Sequence, residues 1–115
     1  SADLVFVSAG RYYLVDYKSN ALGLTLDDYA PAALDDAMRE HRYALQYLLY
    51  SVALQRYLKR RIGPSYCYAE HFGGVYYLFL RGLGLAPGSG IHFTLPPALL
   101  IEQLDQLFEA PGGLP

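Results

Sequence analysis

Two aspartates and a lysine near the beginning of the chain have the side-chain types of a metal-dependent site that acts on phosphate groups. Asp3 and Asp16 lie at the outer ends of two β-type runs separated by Ala9-Gly10, and Lys18 follows two residues later. Small turn residues between two such runs indicate a β-hairpin. Because side chains alternate along a strand, Asp3, Asp16 and Lys18 are predicted to share one face of this hairpin.

The predicted register of the hairpin brings the two carboxylates together. Taking Ala9-Gly10 as the turn and counting outward pairs Val5 with Leu14, and the same count places Asp3 opposite Asp16. Opposed side chains on one face are about 5 Å apart, and opposed like charges destabilise a sheet. A divalent cation such as Mg²⁺ or Mn²⁺, which prefers oxygen ligands, would offset this repulsion. Without the cation, an Asp16→Asn variant is therefore expected to be at least as stable as the wild type.

The alternative interpretation, from spacing alone, is a surface hairpin whose polar face carries Asp and Lys by chance. A second candidate pair, Gln46 and Tyr50, is separated by one helical turn, so that the two side chains project together. Here the alternative is that Tyr50 packs in the core and Gln46 lies at the surface.

Four basic residues occur close together near the end of the same helical segment: Arg56, Lys59, Arg60 and Arg61. Cations at a helix C-terminus interact favourably with the helix dipole, which accounts for them without a ligand. Contacts to nucleic-acid phosphates are the alternative role.

Composition restricts the class of protein. The chain has 115 residues, of which 53% are hydrophobic, and this excludes a disordered chain and fits one domain. The net charge of −2 does not by itself indicate a nucleic-acid-binding protein. A single cysteine, Cys67, fits a reducing cytoplasm, and the three histidines have no zinc-ligand spacing with it. The longest apolar run, Val75 to Leu80, is too short to cross a bilayer.

These residues are predicted to lie on an α/β fold, a mixed sheet flanked by helices. The hairpin occupies 3–18, helices occupy about 31–62, a central strand covered on both sides occupies 73–80, and a C-terminal helix occupies about 97–109. Pro31 fits the first turn of a helix, and Gly63-Pro64 ends the longer one. In that longer helix, four apolar residues at helical spacing are predicted to face the sheet: Leu45, Leu48, Leu49 and Val52.

A hairpin that ends in Asp-x-Lys resembles the core of the PD-(D/E)xK nucleases, which is related to that of restriction endonucleases. Residues 3–6, 13–20, 41–50 and 71–82 together resemble the C-terminal nuclease domain of the RecB (exodeoxyribonuclease V beta chain) family. The resemblance covers roughly the whole chain and implies Mg²⁺-dependent, or Mn²⁺-dependent, hydrolysis of DNA in double-strand-break repair and recombination. It implies Asp3 and Asp16 as metal ligands, Lys18 as a further catalytic residue, and Gln46 and Tyr50 as residues that orient DNA.

The same resemblance implies DNA, RecC and RecD as partners, RecA as a possible docking partner, and a cytoplasmic location. The chain departs from the family pattern because the upstream histidine and acidic residue of the active site are not in it, and it carries no Gly-x-x-x-x-Gly-Lys-Ser/Thr motif of a helicase motor. It is therefore expected to be a fragment with weak or no nuclease activity alone. The alternative function is a non-catalytic DNA- or protein-docking module derived from the same fold.

Overall fold

The hairpin at the start of the chain has the turn and register that the sequence predicts. The structure, a computed structural model, describes residues 4–19, 21–40 and 43–109. Strand β1 (Leu4–Ser8) pairs antiparallel with β2 (Arg11–Lys18), and Val5 lies opposite Leu14. Ala9 and Gly10 both have positive φ angles, 52° and 79°, as a two-residue turn that matches the strand twist requires. The predicted partner of Asp16, Asp3, lies outside the described residues.

Four strands form one mixed sheet in the order β1-β2-β3-β4. Strand β3 (Phe72–Phe79) runs parallel to β2, and β4 (Ile91–Thr94) runs antiparallel to β3. The predicted central strand is therefore internal to the sheet. The prediction that both of its faces are covered is only partly right, because Tyr76 and Leu78 remain partly exposed.

The helices follow the predicted order along the chain. They are α1 (Pro31–Glu40), α2 (Tyr43–Ile62), the single turn α3 (Tyr68–His71) and α4 (Ala98–Glu109). Short 3-10 helices occupy Leu26–Tyr29, Gly63–Ser65 and Leu80–Gly82. The first of these begins at a capping box, in which the Asp28 carboxylate accepts hydrogen bonds from the backbone N–H and the hydroxyl of Thr25, at 3.0 and 2.8 Å.

The main core lies between α1, α2 and one face of the sheet. Leu34 and Met38 of α1 and Leu54 and Leu58 of α2 belong to one buried cluster. The sheet contributes five residues to the same cluster: Leu14, Phe72, Val75, Tyr77 and Phe79. Because Leu14 and Asp16 are two residues apart on β2, the face that carries the core also carries the candidate site.

The predicted apolar face of α2 is wrong for two of its four residues. Leu45 and Leu49 are 61% and 44% exposed, although Val52 is buried at 3%. The buried positions of α2 include the polar residues Ser51 and Gln55. The apolar pattern alone is misleading because α2 packs against α4 as well as the sheet, and buried polar groups with partners are tolerated there.

A row of aromatic rings crosses the opposite face of the sheet, one from each strand. Neighbouring rings lie with centroids 4.9 Å apart for Phe6 and Tyr13, 5.9 Å for Tyr13 and Tyr76, and 4.7 Å for Tyr76 and Phe93. Gly74, with φ of 130°, makes room for this row, since a Cβ there would lie 2.6 Å from the ring of Phe93. Among the described residues, no helix is long and apolar enough to cross a membrane.

Candidate active site

Asp16 and Lys18 form an ion pair at the end of strand β2. The two residues are two positions apart, so their side chains lie on one face of the sheet. The Lys18 Nζ atom lies 3.0 Å from Oδ2 of Asp16, and their side chains are 15% and 3% exposed. In such a charge pair, shielded from water, removal of either partner would leave the other charge buried and uncompensated.

Helix α2 supplies a neutral acceptor to the same lysine. The Lys18 ammonium donates to Oε1 of Gln46 at 3.2 Å. Oε1 of Gln46 also accepts a hydrogen bond at 3.0 Å from the hydroxyl of Tyr77, which lies on β3 beside Asp16 in the parallel register. One amide oxygen thus joins β2, α2 and β3 at the candidate site.

Two tyrosine rings also lie beside the Lys18 ammonium. Nζ lies 4.4 Å from the centroid of the Tyr43 ring and 5.4 Å from that of Tyr77. The two rings are stacked, with centroids 5.6 Å apart and planes 16° apart. Burial raises the pKa of Tyr77 far above its usual range, and the nearby carboxylate of Asp16 adds to that rise. Tyr77 is consequently a neutral hydroxyl that donates a hydrogen bond.

The two predicted DNA-orienting residues, Gln46 and Tyr50, lie in different surroundings. Tyr50 is partly buried and packs against the main core cluster. Gln46 is also partly buried, and its amide oxygen bonds to Lys18 and Tyr77. The structure therefore brings together Asp16, Lys18 and Gln46, while Asp3 lies outside the described residues.

Sequence reasoning did not identify Tyr43 and Tyr77 as members of this site. Tyr43 is three residues before Gln46, so the two share a helix face, and this spacing is the signal that could have found it. Tyr77 lies in an apolar run, and nothing in the sequence of that run distinguishes it from its neighbours. Its role depends on the parallel pairing of β2 with β3, which is a tertiary feature.

Asp16 is the candidate metal ligand at this site within the described part of the chain. Within residues 4–19, 21–40 and 43–109, no group of three or more His, Cys, Asp and Glu side chains is placed to hold a metal ion. Asp16 supplies one carboxylate, a ligand type that Mg²⁺ and Mn²⁺ prefer. The other predicted ligand, Asp3, lies outside those ranges.

Two basic residues near the end of α2, Arg56 and Lys59, bind acidic residues of α4. Arg56 forms an ion pair with Asp105, which is mostly buried, and Lys59 lies 3.3 Å from Glu102. The Nε2 group of Gln55 donates to the same Glu102 carboxylate at 2.8 Å. Two of the four basic residues therefore join two helices, a structural role beyond the helix dipole that the sequence suggested.

The fold and the contacts around Lys18 define a class of protein. It is an α/β protein with a buried Asp-x-Lys pair on an internal strand of a mixed sheet. No family model matches the chain. Comparison with the sequences of known proteins, however, identifies relatives. The chain is 53% identical over 108 residues to the RecBCD enzyme subunit RecB of Haemophilus influenzae. It is 54% identical over 107 residues to that of Escherichia coli and 42% identical over 117 residues to that of Mycobacterium tuberculosis.

These alignments include 92–95% of this chain but only 9–11% of the relatives. The chain belongs to the RecB family, and it spans about a tenth of the length of the curated relatives that it matches. The sequence resemblance to this family is thereby confirmed.

Proposed function

We propose that this chain contributes to metal-dependent hydrolysis of DNA phosphodiester bonds, as part of the nuclease of a RecBCD-type helicase–nuclease in double-strand-break repair and recombination. The proposal includes a PD-(D/E)xK core, of which β1, β2 and β3 would be the central strands. Two findings support it: membership of the RecB family and a mixed sheet that carries Asp-x-Lys. The observation that carries it is the Lys18 ammonium, held 3.0 Å from the buried Asp16 carboxylate.

Asp16 and Asp3 would hold Mg²⁺ or Mn²⁺ at this site. One further step of the observed register beyond the Leu4–Val15 pair would bring Asp3 opposite Asp16, which is the basis for choosing it. A bound divalent ion would supply Lewis acidity and a water of lowered pKa. Asp16 fits this role because its carboxylate is buried on the face of the sheet that also carries Lys18.

Lys18 would stabilise negative charge on the phosphate as it develops. An ammonium group has three N–H donors, and Lys18 donates one hydrogen bond to Gln46 while it pairs with the charge of Asp16. A remaining donor would bind a phosphate oxygen. Because the donor is already in place, it would need little reorganisation during the reaction, and such preorganised groups contribute strongly to rate. Tyr50, on the same side of α2 as Gln46, would border the bound DNA.

The partners follow from the proposed function. The relatives are named as subunits of the RecBCD enzyme, so RecC and RecD chains are the proposed protein partners and linear DNA is the proposed substrate. RecA is a further proposed docking partner, in keeping with a role in recombination.

The test compares cleavage and unwinding in a RecBCD-type complex that contains this chain. Asp16→Ala is expected to lower Mg²⁺-dependent cleavage of single-stranded DNA by about 10²–10³-fold or more, the typical loss for one electrostatic group, and to leave ATP-driven unwinding intact. Lys18→Met is expected to lose cleavage while still binding Mn²⁺ in a calorimetric titration, because lysine is a charge stabiliser here and not a ligand.

The matched control is Asp36→Ala, an exposed carboxylate of α1 that pairs with Arg39 at the surface and is expected to leave cleavage unchanged. Cleavage by the Asp16→Ala complex at a rate close to wild type would contradict the proposed function. Such a result would favour the docking module.

A further inference from the structure

We propose that Tyr43, Gln46 and Tyr77 are positioning residues that form a preformed socket for the Lys18 ammonium. The inference rests on the proposed function for its catalytic meaning, but the socket itself can be tested without nuclease activity. It assigns to two tyrosines a role that neither the sequence pattern nor the Asp-x-Lys motif indicates.

Lysine needs such a socket because its ammonium is carried on a flexible four-carbon stem. The Lys18 Nζ atom is held by groups of three different chemistries: the Asp16 carboxylate at 3.0 Å, the Gln46 amide oxygen at 3.2 Å and the face of the Tyr43 ring at 4.4 Å. An ammonium within about 6 Å of a ring centroid is attracted by the negative face of the ring. The side chain is only 15% exposed, so water screens these contacts weakly.

The chemistry of the donors fixes the orientation of the Gln46 amide. A lysine ammonium can only donate, so the amide oxygen and not the NH₂ group must face Lys18. The same oxygen lies 3.0 Å from the Tyr77 hydroxyl, which donates to it; the Tyr43 carbonyl, at 3.4 Å, is a more distant acceptor for that hydroxyl. Tyr77 therefore acts on Lys18 through Gln46, and its own ring lies beside the ammonium as well.

The catalytic value of the arrangement is that the Lys18 ammonium has contacts other than the one with Asp16. If Lys18 were held by Asp16 alone, a cation bound to that carboxylate would compete with the ammonium for the same oxygens. Gln46 and the two rings hold the ammonium independently of Asp16. Lys18 would then remain beside the phosphate when the Asp16 carboxylate engages a metal ion.

The chain offers an unusually direct spectroscopic test, because Lys18 and Lys59 are its only lysines. With ¹³C-labelled lysine, the Hε–Cε correlations of the two residues can be compared in the full 115-residue chain. Lys59 pairs with Glu102 on the surface and provides the internal reference. The Lys18 Hε signals are expected upfield of those of Lys59, because an aromatic ring shields protons above its face. Coincident signals for the two lysines in the wild type would overturn the socket.

Matched variants of Tyr43 distinguish the effect of its ring from that of its hydroxyl. Tyr43→Leu is expected to move the Lys18 signals towards the position of Lys59, whereas Tyr43→Phe keeps the ring and is expected to keep the shift. Tyr57→Leu replaces an exposed tyrosine on the same helix and is the control, with no expected change at Lys18. A Tyr43→Leu chain that retains the wild-type Lys18 shift and a cooperative melt would contradict the role of Tyr43.

The hydrogen bond to Gln46 is tested by kinetics in the RecBCD-type complex. Tyr77→Phe is expected to lower kcat by about two- to tenfold, the equivalent of one ordinary hydrogen bond, with KM for DNA unchanged. If Tyr77→Phe fails to fold, Gln46→Asn tests the same link, since its shorter side chain cannot reach Lys18. A change in KM alone would overturn the positioning role and make these residues DNA contacts.

The two proposals fail in different ways. A shielded Lys18 signal together with full cleavage by the Asp16→Ala complex would contradict the nuclease function and leave the socket intact. Loss of cleavage in Asp16→Ala together with an unshielded Lys18 signal would support the nuclease and refute the socket.

Discussion

The ion pair between Asp16 and Lys18 gives the sharpest prediction for stability, because it reverses an expectation drawn from the sequence. Opposed aspartates alone predict that Asp16→Asn is at least as stable as wild type without metal. With Lys18 Nζ 3.0 Å from the carboxylate, Asp16→Asn instead leaves a poorly exposed ammonium without its anion. Breaking a buried ion pair by removing one partner typically costs about 3–5 kcal/mol.

The loss of stability is expected to be smaller when Asp16 is replaced than when Lys18 is replaced. After Asp16→Asn, the ammonium keeps Gln46 and the Tyr43 ring and is still 15% exposed, so the expected loss is about 2–3 kcal/mol. After Lys18→Met, the Asp16 side chain, at 3% exposure, loses the ammonium beside it, and the expected loss is about 3–5 kcal/mol. In a domain of about 100 residues, 1 kcal/mol shifts Tm by roughly 4–8 °C, so both changes are readily measured.

The decisive comparison is the double variant, Asp16→Asn with Lys18→Met. Removing both charges together avoids a buried unpaired ion, so the double variant is expected to lose at least about 2 kcal/mol less than the sum of the single losses. Urea unfolding in chelator at fixed ionic strength measures all four corners of the cycle. The exposed pair Asp36–Arg39, with side chains 68% and 70% exposed, is the control and is expected to contribute at most about 1 kcal/mol. Single losses that add to within about 0.5 kcal/mol would refute a coupled buried pair.

Two further predictions concern the sheet. Gly74→Ala is expected to lower the free energy of unfolding by about 2–4 kcal/mol, because it combines a positive φ with a Cβ 2.6 Å from the Phe93 ring. The control is Gly84→Ala, at a positive φ in open space, which is expected to lower it by only about 1–2 kcal/mol in the same urea titration. Equal losses would mean that the ring contact is unimportant. Burial lowers the pKa of His92, outweighing the opposite effect of Asp35 at 3.2 Å, so the unfolded chain binds the proton more readily. Stability is therefore expected to be fully present above pH of about 6.5 and to fall as the pH drops below that value, and thermal melts of His92→Gln should show a flatter dependence.

The hairpin was predictable because its determinants are local. Ala9 and Gly10 specify a two-residue turn, and the alternation of side chains then fixes which residues lie opposite each other. The same period of two places Asp16 and Lys18 on one face without reference to the remainder of the chain. The ion pair itself was not predicted, since the expected attraction of Asp16 was to a cation shared with Asp3.

The surroundings of Lys18 could not be read from the sequence because they come from three separate elements. Gln46 was chosen by its helical spacing from Tyr50, but its bond to Lys18 spans 28 positions of the chain. Tyr77 reaches the site only because β3 inserts parallel to β2 in one particular register. Parallel pairing of strands that are distant in sequence has no local signal comparable to a hairpin turn.

The orientation of α2 about its axis bears on both the exposed leucines and the contact between Gln46 and Lys18. Successive residues of an α-helix are separated by about 100° around the axis, so Leu45 lies about that angle from Gln46. If Leu45 and Leu49 faced the sheet, as their apolar pattern predicts, the Gln46 amide would turn away from Lys18 and could not bond to it. The observed rotation instead buries Ser51, whose hydroxyl donates to the Tyr47 carbonyl at 2.7 Å, and leaves the two leucines exposed. Contact of Gln46 with Lys18 is therefore incompatible with Leu45 facing the same part of the sheet, whereas Val52, which lies within about 20° of Leu45 around the helix, is buried further along α2.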